Sequence, residues 1–350
     1  MHKRAKKGMR FCAVVLLALL SLTGCGSKET ADGKVKLSFQ IWDTAQRAGM
    51  QAVIDEYEKT HPNVTIDLQV TSWDEYWTKL EAAAESNQLP DIFWMHTNQI
   101  LKYADYGKLA DVTDLYDQED PDYYTKHFSE ISLNNAKGSD GRIYGVPKDK
   151  DTVCLVYNRE MFDNAGLAYP DDSWTWDDLT EASAAIYDKT GKYGFMAYAD
   201  EQLGYWNFVY QAGGHILNED KTKAGFMDPA TRKGMEFYIH LQKEPWCPDQ
   251  KYFAETNPGT AFISGQGAMY LEGNWNLMSM MENNKDMEGK WDVAVLPKCP
   301  DPLNGDVRAT ISNGLCYATG AKGKKLEHAK DFLKFAGSEE GQRAQGLSGA

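Results

Sequence analysis

Apolar side chains at Val35, Leu37, Phe39 and Ile41 alternate with polar ones, which predicts a half-buried strand. Met50, Val53, Ile54 and Tyr57 then repeat at the spacing of one helix face, and His61-Pro62-Asn63 ends that helix. Val64, Ile66, Leu68 and Val70 alternate again, and Trp73, Trp77, Leu80 and Ala84 return to helical spacing. Residues 91–95 (Asp-Ile-Phe-Trp-Met) make a short apolar strand. The order β-α-β-α-β predicts a parallel sheet with helices on its faces.

A long, interrupted strand is expected over 141–157, with the polar run Lys148-Asp149-Lys150-Asp151 in its middle. Such a run suits a strand that leaves one lobe and enters another. Thr175 and Asp178 fit a capping box, each oxygen taking a free backbone N–H, ahead of a helix carrying Trp176, Leu179, Ser183 and Ile186. Met235, Tyr238 and Ile239 suggest another helix. Residues 291–297 read as a strand that could cross back, and Leu326, Ala329, Phe332, Leu333 and Ala336 as a late amphipathic helix. A chain of 350 residues suits two compact lobes.

The start of the chain carries a different pattern. Lys3, Arg4, Lys6, Lys7 and Arg10 stand without an acidic neighbour before an apolar run from Phe11 to Leu20. That run is about ten residues, against roughly 20 for a spanning helix, so it reads as an export signal. Leu22-Thr23-Gly24-Cys25 resembles the lipobox of bacterial lipoproteins, which implies removal of residues 1–24 and acylation of Cys25. The alternative is an ordinary secretory signal with a chance cysteine. Residues 25–34 then form a lipidated tether, small and polar. The expected place of work is the extracytoplasmic face of the cell membrane.

Charge narrows the partners. The chain carries a net −14, and −19 once the basic signal is removed. That excess argues against nucleic acid or anionic lipid as the main partner. Cys154, Cys247, Cys299 and Cys316 match no zinc or redox spacing, and their disulfide state is open. Seven scattered histidines give no metal cluster. No cofactor and no metal are expected. No Walker loop, serine nucleophile elbow or His-Glu-x-x-His is present.

Several segments together resemble the extracellular solute-binding lipoproteins of ABC importers, family 1, the sugar-binding, maltose-binding-protein-like group. They are Ile41-Trp42-Asp43, residues 89–96, Asp105 to Asp111, Tyr144 to Thr152 leading into Leu155–Asn158, 173–179, 261–269 and 329–335. The resemblance covers roughly residues 35–350. It implies an α/β, two-lobed periplasmic-binding-protein-like fold of type II, each lobe a mostly parallel sheet flanked by helices. Lobe one would take 35–147 plus 298–345, and lobe two 152–292. A carbohydrate would bind in the cleft between them, without catalysis, and pass to the permease subunits. A monomer is expected. Members of the family usually run some tens of residues further, so the chain is expected to be truncated and lobe two incomplete.

A sugar offers hydroxyls at its edge and apolar C–H faces, so its site wants carboxylates or amides beside Trp or Tyr. Ten Trp and 19 Tyr fit that need, and fit an aromatic core as well. Trp42 and Asp43 follow the first strand, and His96 and Asn98 the third, where parallel sheets bind ligands; packing within the lobe is the alternative for Trp42. By resemblance Trp94 holds the place of a cleft aromatic. Thr97 and Asn98 depart from a charged pair in maltose-binding members, which puts maltose in doubt. By resemblance too, Asp151 at the first crossing is a sugar-binding carboxylate, or else a solvated hinge charge. Tyr205, Trp206 and Asn207 surround a position where an aromatic is common, and which of them faces inward stays open. Trp275 matches a recurrent stacking tryptophan. Asn313 would bring an amide to the cleft, unless Asn313-Gly314 is a simple turn. Two other readings remain: the same scaffold holding a polyol or glycerol-phosphate-type solute, and a surface glycan-degrading enzyme.

Overall fold

The computed structural model describes residues 33–220, 222–305 and 308–348. The signal, Cys25 and most of the tether lie outside these residues. Two sheets organise the chain. The first contains β1 (Val35–Ile41), β2 (Val64–Val70), β3 (Ile92–His96), β4 (Val146–Pro147) and β10 (Leu315–Ala318), in the order β2-β1-β3-β10-β4. The second runs β6 (Tyr193–Phe195), β7 (Gly267–Gly273), β5 (Asp151–Asn158), β8 (Trp291–Ala294).

In lobe one, alternation places Leu37, Phe39 and Ile41 in the core, and Met50, Val53, Ile54 and Tyr57 of the helix Arg47–Thr60 cover them. β1 pairs in parallel with β2 and β3, as the β-α-β-α-β pattern predicts. β10 is antiparallel to both β3 and β4. In lobe two only β6 and β7 run parallel; β5 is antiparallel to β7 and β8. Both sheets are therefore mixed. The resemblance implied mostly parallel sheets; the β-α-β units are confined to the N-terminal part, and most of the later pairings are antiparallel.

The capping box at Thr175 and Asp178 is present, and the helix Trp176–Thr190 buries Trp176, Leu179, Ser183 and Ile186. The helix Pro229–Leu241 forms, but its buried face is Thr231, Gly234, Tyr238 and Leu241, and Ile239 is exposed. Gly234 belongs on that face because its neighbour is backbone: a Cβ there would lie 2.5 Å from Phe208 O. Cys154, Cys247, Cys299 and Cys316 are all free thiols. Among the described residues no helix is long and apolar enough to cross a membrane.

The crossings differ from the sequence expectation in one respect. The first runs through Lys148–Lys150 between β4 and β5, as the polar interruption suggests. The second was expected near 292–298, but 298–305 and 308–311 stay on lobe two. Lys298 exchanges backbone hydrogen bonds with Trp174 and Trp176, Leu303 N–H donates to Ala212 O, and Gln211 Nε2 donates to Ala309 O at 2.9 Å. Lobe two thus satisfies the polar groups of this extended segment. The return comes at β9 (Ser312–Asn313), which pairs antiparallel with Asp151 and Thr152 at the start of β5. Two short strands, side by side, carry the chain between the lobes. Gly314 sits where they crowd: a Cβ would lie 2.6 Å from Asp149 O.

Candidate functional site

The lobes face each other across a cleft with two chambers. One, of about 650 Å³, is lined by His96, Asn98, Gln202, Trp206, Tyr210 and Asn313 among others. The other, of about 350 Å³, is lined by Trp42, Trp73 and His96 of lobe one, Asp151 and Asn313 at the crossing, and Gln202 and Trp275 of lobe two. His96, Gln202 and Asn313 border both. The Asn313 amide donates to Gln202 Oε1, and its nitrogen lies 3.3 Å from His96 Nε2. These three side chains form a partition that touches lobe one, the crossing and lobe two.

Trp42 follows the last residue of β1 and is half-buried. Its ring meets Trp73, Tyr76 and Trp94 edge to face at centroid distances of 5.1, 4.9 and 5.1 Å. Trp94 lies beneath it with no exposed surface. The expectation that Trp94 faces the cleft is therefore corrected: β3 is buried along its whole length, and only its end, His96, reaches the cleft. Lys148 Nζ stands 4.8 Å over the Trp94 ring.

His96 is buried, which lowers its pKa, so the ring is neutral near pH 7. Its Nδ1 accepts the Asn98 N–H at 3.2 Å and caps the helix Thr97–Asp105. Asn98 itself is exposed on the wall of the larger chamber. Asp43 lines the smaller chamber and accepts from Ala45 N–H at 2.8 Å and Gln46 Nε2 at 3.1 Å.

Asp151 opens β5 and is 7 % exposed. Burial first, then the neighbouring Asp149 carboxylate, push its pKa up to about 6, against a smaller pull from Lys148. Asn274 holds it, donating to Oδ1 at 3.1 Å while accepting the Thr152 N–H at 2.7 Å. Lys148 is itself almost wholly buried and engaged by Asp149 at 2.6 Å and Gln46 at 2.7 Å. Asp149 also accepts the Leu315 N–H at 2.7 Å, tying the two crossings together.

In lobe two, Glu201–Tyr205 is a single π-helical turn followed by the helix Trp206–Gln211. Trp206 faces the larger chamber. Tyr205, also named as a candidate, follows a kink at Gly204, packs towards Tyr238 in the lobe-two core and lines neither chamber. Asn207 is fully buried; it donates to Gln202 O and Gly204 O and accepts from Ile311 N–H, bracing the turn against the returning segment. Trp275 follows β7 by two residues and folds back over Gly273, where a Cβ would meet its ring at 2.2 Å. The residue at 273 has to be glycine for the indole to lie there.

Trp73 and Gln202 are among the lining residues that were not expected from sequence. Trp73 was read as part of a buried helix stripe, yet it sits in the first turn of the helix Trp73–Glu85 with 41 % exposure. Its position just after β2 is the signal that finds it, by the strand-end logic that finds Trp42. Gln202 has no such signal, since nothing local marks a π-helical turn. Among the described residues no group of His, Cys, Asp or Glu converges enough to hold a metal ion.

Comparison with known proteins agrees with this architecture. The chain is 24 % identical over 333 residues to the diacetylchitobiose binding protein DasA of Streptomyces coelicolor, covering 92 % of this chain and 76 % of that one. It is 25 % identical over 357 residues to an arabinooligosaccharide-binding protein of Bacillus subtilis, covering 96 % and 78 %. Among solved structures it is similar to an ABC substrate-binding protein of Listeria monocytogenes in complex with cycloalternan, with TM-score 0.77, 25 % identity, and 88 % and 76 % coverage. The GacH receptor of Streptomyces glaucescens shares the fold at TM-score 0.78, 23 % identity, and 89 % and 78 % coverage. The model of the bacterial extracellular solute-binding protein family matches residues 42–343, and with the two lobes, the paired crossings and the cleft between them, the chain belongs to that family.

Proposed function

We propose that this protein captures an oligosaccharide on the outer side of the cytoplasmic membrane and hands it to the permease of an ABC importer, while anchored through a lipid on Cys25. One observation carries the reading: the interlobe cleft offers indole surfaces from both lobes, Trp42 and Trp73 facing Trp275, with amide and carboxylate groups between them. Indoles match the C–H faces of a pyranose, and planar amides and carboxylates match its hydroxyls. Asn313 Oδ1 is buried without a hydrogen-bond partner, a spare acceptor on the cleft floor. The relatives named for diacetylchitobiose and arabinooligosaccharide support a sugar of two or more units.

In this reading Trp42, Trp73 and Trp275 stack on the sugar, Asp43, Asp151, Gln202 and Asn313 bind its hydroxyls, and Asn98 and Trp206 hold its continuation in the larger chamber. Closure of the lobes about the paired crossings traps the ligand. The protein works as a monomer and does not alter the sugar. A phosphate-bearing solute fits less well, because among the described residues no lysine or arginine lines either chamber.

The experiment is a glycan panel followed by tryptophan emission and by reducing-end assay. Saturable quenching with unchanged sugar supports capture. Release of new reducing ends would replace the receptor by an enzyme.

A further inference from the structure

The two chambers differ in charge. Among the described residues the larger is walled by amides, aromatics and small side chains and contains no carboxylate. Among the described residues the smaller holds four acidic side chains, Asp43, Asp151, Asp200 and Glu201, beside its three tryptophans, and no lysine or arginine. Its histidine is neutral near pH 7 for the reason given above. The nearest buried cation, Lys148, is already committed to Asp149 and lies against Trp94, on the lobe-one side.

A neutral sugar does not balance this lining. Each hydroxyl donates one hydrogen bond, while the carboxylates repel one another, and closure strengthens that repulsion by removing water. Burial and the neighbouring Asp149 raise the pKa of Asp151, so its ionised form is already disfavoured before any ligand arrives. A metal ion is not the balancing charge, since the acidic groups do not converge on a point among the described residues. An ammonium group is different. It brings one positive charge and three donors, which suit spread-out carboxylates and the unpartnered Asn313 Oδ1. It is also attracted to indole faces.

We propose, resting on the sugar-capture reading, that the tryptophan-lined chamber selects a sugar residue with a free protonated amine, and that the amide-walled chamber takes its uncharged continuation. The cleft and its indoles make the site; the carboxylates decide which sugar enters it. The ligand class is an amino-sugar oligosaccharide, with N-acetylated and plain hydroxyl forms as weaker competitors and phosphorylated sugars excluded.

The test uses the full chain in detergent and calorimetric titration at neutral pH against matched sets. Each set contains a glucosamine or galactosamine oligomer, its N-acetylated form and the neutral hexose oligomer of the same linkage, in both anomeric linkages. The expected result is that, within the linkage that binds, the free amine binds about tenfold tighter or more than either partner. That margin should shrink as salt rises past the point where the Debye length is about 3 Å. Glu201→Gln should narrow the margin. Equal or tighter binding of the N-acetylated or neutral form overturns the inference and leaves sugar capture standing. Binding of no glycan in any set overturns both.

Discussion

The indole of Trp42 meets that of Trp94 edge to face, centroids 5.1 Å apart and planes 79° apart. One ring is half-open to the cleft and the other has no exposed surface. The pair therefore separates two roles that the sequence leaves mixed. Trp94→Ala is expected to destabilise the fold by about 3–5 kcal/mol, as for a large core deletion. Trp42→Ala is expected to lower stability less and to weaken glycan binding at least as much as Trp94→Ala. Urea unfolding beside fluorescence titration checks both; a Trp42→Ala variant that binds like the parent would count against the site.

Gly273 and Trp275 provide a test that changes no lining residue and moves only one of them. A Cβ at 273 meets the indole, so Gly273→Ala should push Trp275 off its position. The backbone there has φ −87°, which any residue adopts, so the strand itself is not strained. The expected outcome is a loss of glycan affinity of about tenfold, comparable to losing one stacking contact. Unfolding by heat should move little. Unchanged affinity would mean that Trp275 does not touch the ligand.

Asp151 gives a pH signature. Its folded-state pKa of about 6 lies above its ordinary value, so the folded protein holds the proton more tightly than the unfolded chain. Its contribution is favourable at low pH and is lost as pH rises from about 4 to 6; above that the penalty is constant, at most about 3 kcal/mol. Asp151→Asn removes the titrating charge and keeps an oxygen for the Asn274 amide. The stability gained by this variant should be near zero at pH 4 and level off above pH 6. A gain that does not change with pH would refute the assignment.

Lys148 and Asp149 are unequal partners. The lysine side chain is 1 % exposed and the aspartate 19 %. Asp149→Ala strands a buried ammonium and frees the Leu315 N–H, and should cost about 3–5 kcal/mol. Lys148→Met leaves a carboxylate that still reaches water and the Leu315 N–H, so it should cost less. Denaturant midpoints of the two variants decide the order, and the reverse order would show that the lysine reaches water after all.

Much of lobe one was legible because its elements are regular. Val35 to Ile41 and Met50 to Tyr57 each put their apolar residues on one side, and the structure buries those sides. The candidate site was legible at strand ends, where Trp42 follows β1 and His96 closes β3, while Trp275 was named from the resemblance. It was illegible where side-chain direction depends on distant packing. Trp94 and His96 are two residues apart on one strand, but Trp94 has no exposed surface beneath Trp42, while His96, at the strand's end, lines the cleft. Tyr205 and Trp206 were inseparable because the backbone kinks at Gly204 just before them, and Asn207 ties this turn to a segment about a hundred residues away. The return point at 312 was hidden for a related reason: an extended segment shows its lobe only through the carbonyls and amides it meets.

The two crossings lie side by side and are tied by backbone pairing between β5 and β9. Two parallel attachments define a line, so relative motion of the lobes is largely rotation about that line. Points near it travel little, and points at the lips travel far. Asp151 and Asn313 lie at the axis, so the floor of the site is nearly complete while the cleft stands open. Trp73 and Trp206 ride on the moving walls. On the proposed reading, a ligand is met first by the floor and enclosed afterwards by the walls, so floor residues would govern how readily it is caught and wall residues how long it is kept.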